Sequence, residues 1–384
     1  MHDETWRAPW YTDEVRALQD AVRRVYTEEL APLEARWTRQ GEVDRETWRR
    51  AADAGLLCAG IDSEYGGLGG TFAHEAMIYY EQFRAGLPSF GNTLHSGIVA
   101  HYIARYGSEG QKRRWLPRLA TGEWVAALAM SEPGAGSDLR SLRTTAVRHG
   151  DEYVVNGAKT FITNGYQADL VCLAVRHDTG TRSQNLSLLV VEAAQTPGFQ
   201  RGRRLDKIGL KGQDTCELFF GDARVPCENV LGTAEGQGFT QMMEQLPRER
   251  LIVALMGLGT IDRALAVTIP HVRSRQLFNG TLLDLQDVRF KLAEACTDAS
   301  IARAFLAECI GRQLAGDLDA ASAAKAKWWI TDAQCRIVDR CLQLHGGSGY
   351  MTESPISQMY LDSRIQTIYG GANEIMKEII ARAI

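Results

Sequence analysis

Gln245-Leu-Pro-Arg-Glu-Arg-Leu251, continued by Ile252-Val-Ala-Leu-Met-Gly-Leu-Gly259, is the stretch from which the rest of the chain is read. Pro247 suits the first turn of a helix, where its missing N–H costs nothing. The apolar, Ala/Gly-rich run behind it predicts a helix buried nearly all round. Glu249 then stands at the mouth of that helix. Such a carboxylate has two readings. Either it complements the helix dipole and pairs with Arg248 or Arg250, or it is a partly desolvated general base whose pKa is raised by apolar surroundings. First-turn acids are common, so these residues alone favour the dipole.

Downstream, the pattern stays helical over 239–272, 283–314, 319–344 and 356 to the end. Long helices with short connections predict a four-helix bundle. Two glycine turns interrupt it, His345-Gly-Gly-Ser-Gly-Tyr350 and Tyr369-Gly-Gly-Ala-Asn-Glu374. Each is a helix C-cap or a place where backbone approaches a ligand. Upstream, from Trp124, short apolar runs alternate with turns such as Arg148-His-Gly-Asp151 and Asn164-Gly165. The runs fall at 124–130, 144–147, 153–155, 159–163, 170–175, 186–191, 216–220 and 223–226. Strands at this spacing without long helices predict an antiparallel barrel or sandwich. Gly134-x-Gly136 therefore does not open a dinucleotide-binding unit, since no helix follows it. Residues 12 to about 120 read as helices, with Pro32 interrupting the first, Asp44 capping the next and a glycine-rich turn at 62–71. The chain is thus expected to be α+β in α–β–α order. Its domains are a helical one at 1–121, a β domain at 122–235 and a helical bundle at 236–384.

The net charge of −4 and the lack of a basic, aromatic-interleaved stripe exclude a nucleic-acid footprint. The polar, acidic N-terminus has no signal-peptide pattern, and no apolar run is read as membrane-spanning. Eight scattered cysteines without Cys-x-x-Cys spacing predict reduced thiols in the cytoplasm. The eight histidines show no metal-ligand spacing, so no metal is expected.

Several motifs in fixed order resemble the acyl-CoA dehydrogenase family over essentially the whole chain. They are Ala129-Met-Ser-Glu-Pro-Gly-Ala-Gly-Ser-Asp138, Phe161-Ile-Thr-Asn-Gly165, Lys207-Ile-Gly-Leu-Lys-Gly212, Arg275-x-x-Phe278 with Gln286, Gln343-Leu-His-Gly-Gly347 and Ile368-Tyr-Gly-Gly-Ala-Asn-Glu374. Each alone is weak. The resemblance implies noncovalent FAD between the β domain and the bundle. Met130, Ser131, Ser137, Phe161 and Thr163 would contact the flavin, with Phe161 where most members carry Trp. Arg275, Phe278, Gln286, Gln343, Gly346 and Gly347 would meet the ADP half, some of them from a second subunit. This implies a homo-oligomer, usually a tetramer. Ala372, Asn373 and Glu374 complete the cofactor set.

Many members carry the catalytic Glu directly after the Tyr of the terminal motif; here that position is Gly370. The long-chain and isovaleryl-CoA dehydrogenases place the base at the start of the bundle helix instead, within a Glu-Arg pair, and both motifs here are of that type. The absent acid at 370 and the present acid at 249 explain each other. Glu249 is therefore expected to be the base and the Gly370 N–H an oxyanion donor. The product would be a trans-2-enoyl-CoA. Ser137, Arg248, Arg250, Tyr369 and Gly371 are expected at the substrate. For the two arginines, a solvated basic face is an equal alternative. Ser137 would touch the pantetheine. His95, Ser96 and Tyr102 are read as helix packing rather than acyl pocket. An electron-transfer flavoprotein is the implied electron acceptor. The same fold also hosts flavin oxidases and monooxygenases, which commonly lack an acid at either base position. A dehydrogenase acting on carrier-protein-bound acyl groups and an inert flavin-binding protein are further alternatives.

Overall fold

The computed structural model describes residues 4–177 and 185–384. Helix α1 (Asp13–Arg24) buries Val15, Gln19 and Val22, and Thr12 caps it by accepting the Val15 N–H. Pro32 does not end this run. The chain passes through a π-helical stretch (Val25–Leu30) and a 3-10 turn (Ala31–Leu33) into α2 (Glu34–Gln40), which Gly41 closes. Asp44 does precede α3 (Arg45–Asp53), but its carboxylate turns to Arg36 and to the Trp37 indole and gives no cap. After the glycine-rich turn, α4 (Phe72–Ala85) is buried over almost its whole length. A single turn, α5 (Asn92–Leu94), and another π-helical stretch (His95–Val99) lead to α6 (Ala100–Tyr106) and α7 (Glu109–Ala120).

Among the described residues seven strands follow: β1 (Ala126–Ala129), β2 (Thr145–His149), β3 (Glu152–Thr163), β4 (Leu170–Arg176), β5 (Leu186–Glu192), β6 (Phe199–Arg204) and β7 (Thr215–Pro226). They form one sheet in the order β1-β4-β2-β3-β7-β6, with β5 on the other side of β4. The sheet is mixed, not wholly antiparallel. β1 runs parallel to its neighbour β4, and the β2–β3 hairpin separates the two along the chain but not in the sheet. The runs at 153–155 and 159–163 are one strand, as are those at 216–220 and 223–226. β3 and β7 pair along their length, and register shifts near Val155/Gly157 and Lys159/Ile162 absorb the irregular residues.

The second helical region opens with α8 (Gly238–Ser274). Pro247 is not at its first turn. The helix begins nine residues earlier, and Pro247 sits inside it at the loss of one backbone bond. Glu249 is therefore three turns in, beyond the reach of the dipole. α8 is also long and apolar enough to cross a membrane, contrary to the reading above, but 78% of that apolar window is buried inside the protein. Strands β8 (Gln276–Leu277) and β9 (Gly280–Thr281) form a hairpin before α9 (Gln286–Ala315) and α10 (Ala320–His345). The predicted last helix is two, α11 (Pro355–Ser363) and α12 (Asn373–Ala381), divided by a 3-10 turn and the Gly370–Gly371 pair. The two helical regions are joined through a buried Asp262 carboxylate. It takes a hydrogen bond from Tyr80 at 2.7 Å and pairs with Arg303.

Candidate active site

Glu249 faces inward from α8 and is 7% exposed. Its Oε1 accepts a 2.9 Å hydrogen bond from the Tyr102 hydroxyl of α6. Oε2 has no protein partner among the described residues. Burial pushes the carboxyl up to about 7, opposed by the Tyr102 hydrogen bond and by the charges of Arg250 and Arg248. An acid tuned to neutrality in an apolar wall is suited to taking up and releasing a proton.

The arginines beside it are not a solvated basic face, because both are buried among the core helices. Arg248 points away from Glu249. It donates to the Gly97 carbonyl, pairs with Glu75 of α4 at 2.5 Å and lies over the Phe72 ring. Glu75 also holds His101 at 2.8 Å and the Tyr79 hydroxyl at 3.2 Å. Arg250 lies near Glu249, and its buried Nε has no partner among the described residues. Burial lowers its pKa, and the Glu249 charge opposes that shift.

Opposite Glu249 lies the Tyr369–Asn373 turn. A Cβ placed on Gly370 would sit 3.3 Å from Val253, one helical turn beyond Glu249 on the same face. Gly370 and Gly371 have φ of 65° and 93°, conformations glycine adopts without strain. Among the described residues no acceptor takes the Gly370 N–H or the Gly371 N–H. The Tyr369 hydroxyl is buried with no partner among the described residues. A side chain at 370 would meet both the positive φ and Val253, so the glycine fits the turn on two counts. Ala372 occupies the N-cap position of α12 without a side-chain hydrogen bond, and Glu374 is exposed in its first turn. The Asn373 side chain is engaged within the protein by Lys327, Thr331 and Asp332, so its backbone is the part left for a cofactor.

The β domain carries all five of the expected flavin contacts. Thr160 N–H donates to the Ser131 carbonyl at 3.0 Å, and the Lys159 ammonium to that of Met130 at 3.1 Å. Phe161 occupies the register shift in β3 with φ of 59°, and the bulge holds its ring 69% exposed. The hydroxyls of Ser131, Ser137 and Thr163 carry no protein hydrogen bond among the described residues. An open aromatic face beside unengaged hydroxyls suits a flat heteroaromatic ring with polar edges.

The remaining expected contacts lie elsewhere. Arg275 ends α8, Phe278 is 90% exposed at the β8–β9 tip with φ of 53°, and Gln286 opens α9. Gln343, Gly346 and Gly347 end α10 at the same end of the bundle, where His345 stacks on His271 at 4.1 Å. Glu249 and Arg275 are 26 residues apart on one helix, about 39 Å at 1.5 Å per residue. Within one chain Arg275 thus stands far from Glu249.

Tyr102 is the residue that sequence reasoning set aside as packing. Ser96 and His95 are packing. Ser96 accepts the Cys58 N–H at 2.9 Å and donates to Asn92, while His95 bridges Leu119 and the Ala126 N–H. Among the described residues no group of three His, Cys, Asp or Glu could hold a metal.

A near-neutral carboxylate across from unengaged backbone donors, in a helix–sheet–helix frame, suits proton abstraction next to a carbonyl. The comparisons agree. The descriptions "Acyl-CoA dehydrogenase" N-terminal, middle and C-terminal domain match residues 12–123, 127–223 and 236–384. The long-chain specific acyl-CoA dehydrogenase of Rattus norvegicus mitochondria is 42% identical over 376 residues, covering 97% of this chain and 87% of that one. An acyl-CoA dehydrogenase structure from Geobacillus kaustophilus superposes with TM-score 0.95 at 43% identity, covering 98% of this chain and 99% of that one. A glutaryl-CoA dehydrogenase of Mycobacterium smegmatis, solved in complex with FADH2, superposes with TM-score 0.91 at 26% identity, covering 97% and 95%. The chain belongs to the acyl-CoA dehydrogenase family.

Proposed function

We propose that this enzyme converts an acyl-CoA thioester to the trans-2-enoyl thioester, with Glu249 as base and noncovalent FAD as cofactor. The observation that carries the reading is Glu249 itself, buried, near neutrality and facing the Gly370 turn. Met130, Ser131, Ser137, Phe161 and Thr163 would hold the isoalloxazine. FAD, when bound, supplies the acceptor for the β-hydride. Glu249 takes the α-proton on Oε2 while Tyr102 holds Oε1. The Gly370 N–H donates to the thioester oxygen as negative charge grows there. Apolar walls exclude water, which keeps the base near neutral pKa and protects the charged transition state.

The 39 Å between Glu249 and Arg275 exceeds the span of one FAD. This supports a homo-oligomer, in our reading a tetramer, in which Arg275, Phe278, Gln286, Gln343, Gly346 and Gly347 serve a neighbouring copy's cofactor. A planar Arg fork suits the pyrophosphate. We further propose an electron-transfer flavoprotein as acceptor. The cytoplasm is the proposed compartment, which the eight unpaired cysteines support. The domain limits 1–121, 122–235 and 236–384 complete the reading.

Anaerobic addition of acyl-CoAs of graded length and branching to the purified yellow protein tests the function. Bleaching of the flavin by at least one of them is expected. A flavin that stays oxidised with every acyl-CoA overturns the reading.

A further inference from the structure

Lys327 is the unexplained charge of the bundle. It lies two turns into α10 and is 0% exposed. Among the described residues no carboxylate stands at ion-pair distance from it. Its ammonium donates instead to the Gly371 carbonyl at 2.8 Å and to Asn373 Oδ1 at 2.8 Å. Asn373 passes the link back to α10, donating through Nδ2 to Asp332 at 2.7 Å and to Thr331 at 3.1 Å. Trp328 in turn holds Asp332 at 2.9 Å. Both partners of Lys327 lie just after Gly370.

Burying an ammonium without a counter-ion is unfavourable, and an apolar side chain of similar length would fill the same space without that penalty. The turn explains what is gained. Gly370 and Gly371 both have left-handed φ, and glycine backbone is the least self-determined in the chain. On one side Tyr369 is anchored by its N–H to the Ile365 carbonyl at 3.1 Å. On the other side the anchor is Lys327. Between the two anchors the Gly370 N–H has no acceptor of its own.

We propose that Lys327 is a positioning residue for catalysis: by clasping Gly371 and Asn373 to α10 it holds the Gly370 N–H on the thioester oxygen. The assignment rests on the proposed function, since it needs Gly370 to be the oxyanion donor. A preorganised donor contributes because it does not reorient as charge develops. A turn free to swing keeps the donor but loses the preorganisation.

The test is Lys327→Met in the full-length holoenzyme, with flavin content and circular dichroism recorded first. Two readouts follow. One is the kcat and KM of anaerobic flavin reduction by the best acyl-CoA. The other is the carbonyl stretch of a bound acyl-CoA labelled with ¹³C at the thioester, taken by infrared difference. Removing an oxyanion donor outright costs about 10²–10³-fold, so loosening one is expected to lower kcat by roughly 30-fold with KM within about threefold. The carbonyl band is expected to move back towards that of free thioester. A purely structural lysine would leave that band in place in the folded variant. Wild-type kcat and an unmoved band in Lys327→Met overturn this assignment and leave the proposed function standing. A wild-type protein inert to every acyl-CoA overturns both. Should Lys327→Met fail to fold or to retain flavin, Asn373→Ala decides. It removes one arm of the clasp, and a kcat loss of about fivefold with the band shifted the same way is expected. An unchanged band there overturns the proposal.

Discussion

Glu75 and Glu249 are two glutamates buried in packed helices of one core, with opposite acidities. Glu75 on α4 is 1% exposed and Glu249 on α8 is 7% exposed. Burial raises both. At Glu75 the Arg248 and His101 charges and hydrogen bonds reverse the effect and hold the acid at about 2. At Glu249 a single Tyr102 hydrogen bond and two more distant arginines leave it at about 7. Arg248 is the neighbour of Glu249 in sequence, yet its guanidinium belongs to Glu75. Pairing, and not depth, separates a structural carboxylate from one able to exchange a proton near neutral pH.

The difference is broken most severely by Glu75→Gln. It leaves Arg248 buried without its carboxylate, which costs on the order of 3–5 kcal/mol. A lower denaturation midpoint at pH 7 is the expected outcome. Because the folded pKa of Glu75 lies below its unfolded value, its contribution is present above about 4.5 and disappears as pH falls towards about 2. The wild-type and variant denaturation midpoints should therefore converge in acid.

Glu249→Gln should act in the other direction. The folded pKa of Glu249 lies above its unfolded value, so its ionisation destabilises the fold as pH rises from about 4.5 to about 7. The variant should be more stable than wild type at pH 8, by at most on the order of 3 kcal/mol, with little gain near pH 4. Denaturation midpoints at the two pH values check the sign. A variant less stable than wild type at pH 8 would show that Glu249 is a paired, structural acid like Glu75.

The smallest effect belongs to Tyr102→Phe. Its hydroxyl stabilises the charged form of Glu249, so losing it raises the base's pKa. The acid limb of kcat/KM should move to higher pH, and activity at pH 7 should fall by about tenfold, the worth of one hydrogen bond to a charged group. A pH profile of flavin reduction measures both.

Most of the frame was legible because it rests on local pattern. The α–β–α order, the buried helix after Leu251 and the glycine turns follow from periodicity and turn chemistry. What was missed has non-local or ambiguous causes. Residues 239–272 read as helix and match α8 closely; only Pro247, a residue favoured at a first turn, points to a start nine residues too late. β6, Phe199-Gln-Arg-Gly-Arg-Arg204, is an edge strand with little apolar alternation, and its pairing with β7 makes it a strand. The gap between the runs at 153–155 and 159–163 is a register shift within one strand, β3. The parallel β1–β4 pairing has no sequence mark. Of the site, Glu249 and the Gly370 turn stood out through composition and motif. Tyr102 lies 147 residues from Glu249 and Glu75 lies 173 from Arg248, and packing alone brings them together.

The central claim is that Glu249 removes the α-proton. It is tested most directly by stopped-flow reduction of the flavin under anaerobic conditions, wild type against Glu249→Gln, with one saturating acyl-CoA across the pH range. The wild-type rate is expected to rise with pH and level off above about 7, the pKa to which burial brings the base. Glu249→Gln is expected to retain flavin and bind acyl-CoA, but to be reduced about 10²–10⁴-fold more slowly, without that pH dependence. Reduction of Glu249→Gln at close to the wild-type rate would contradict the assignment.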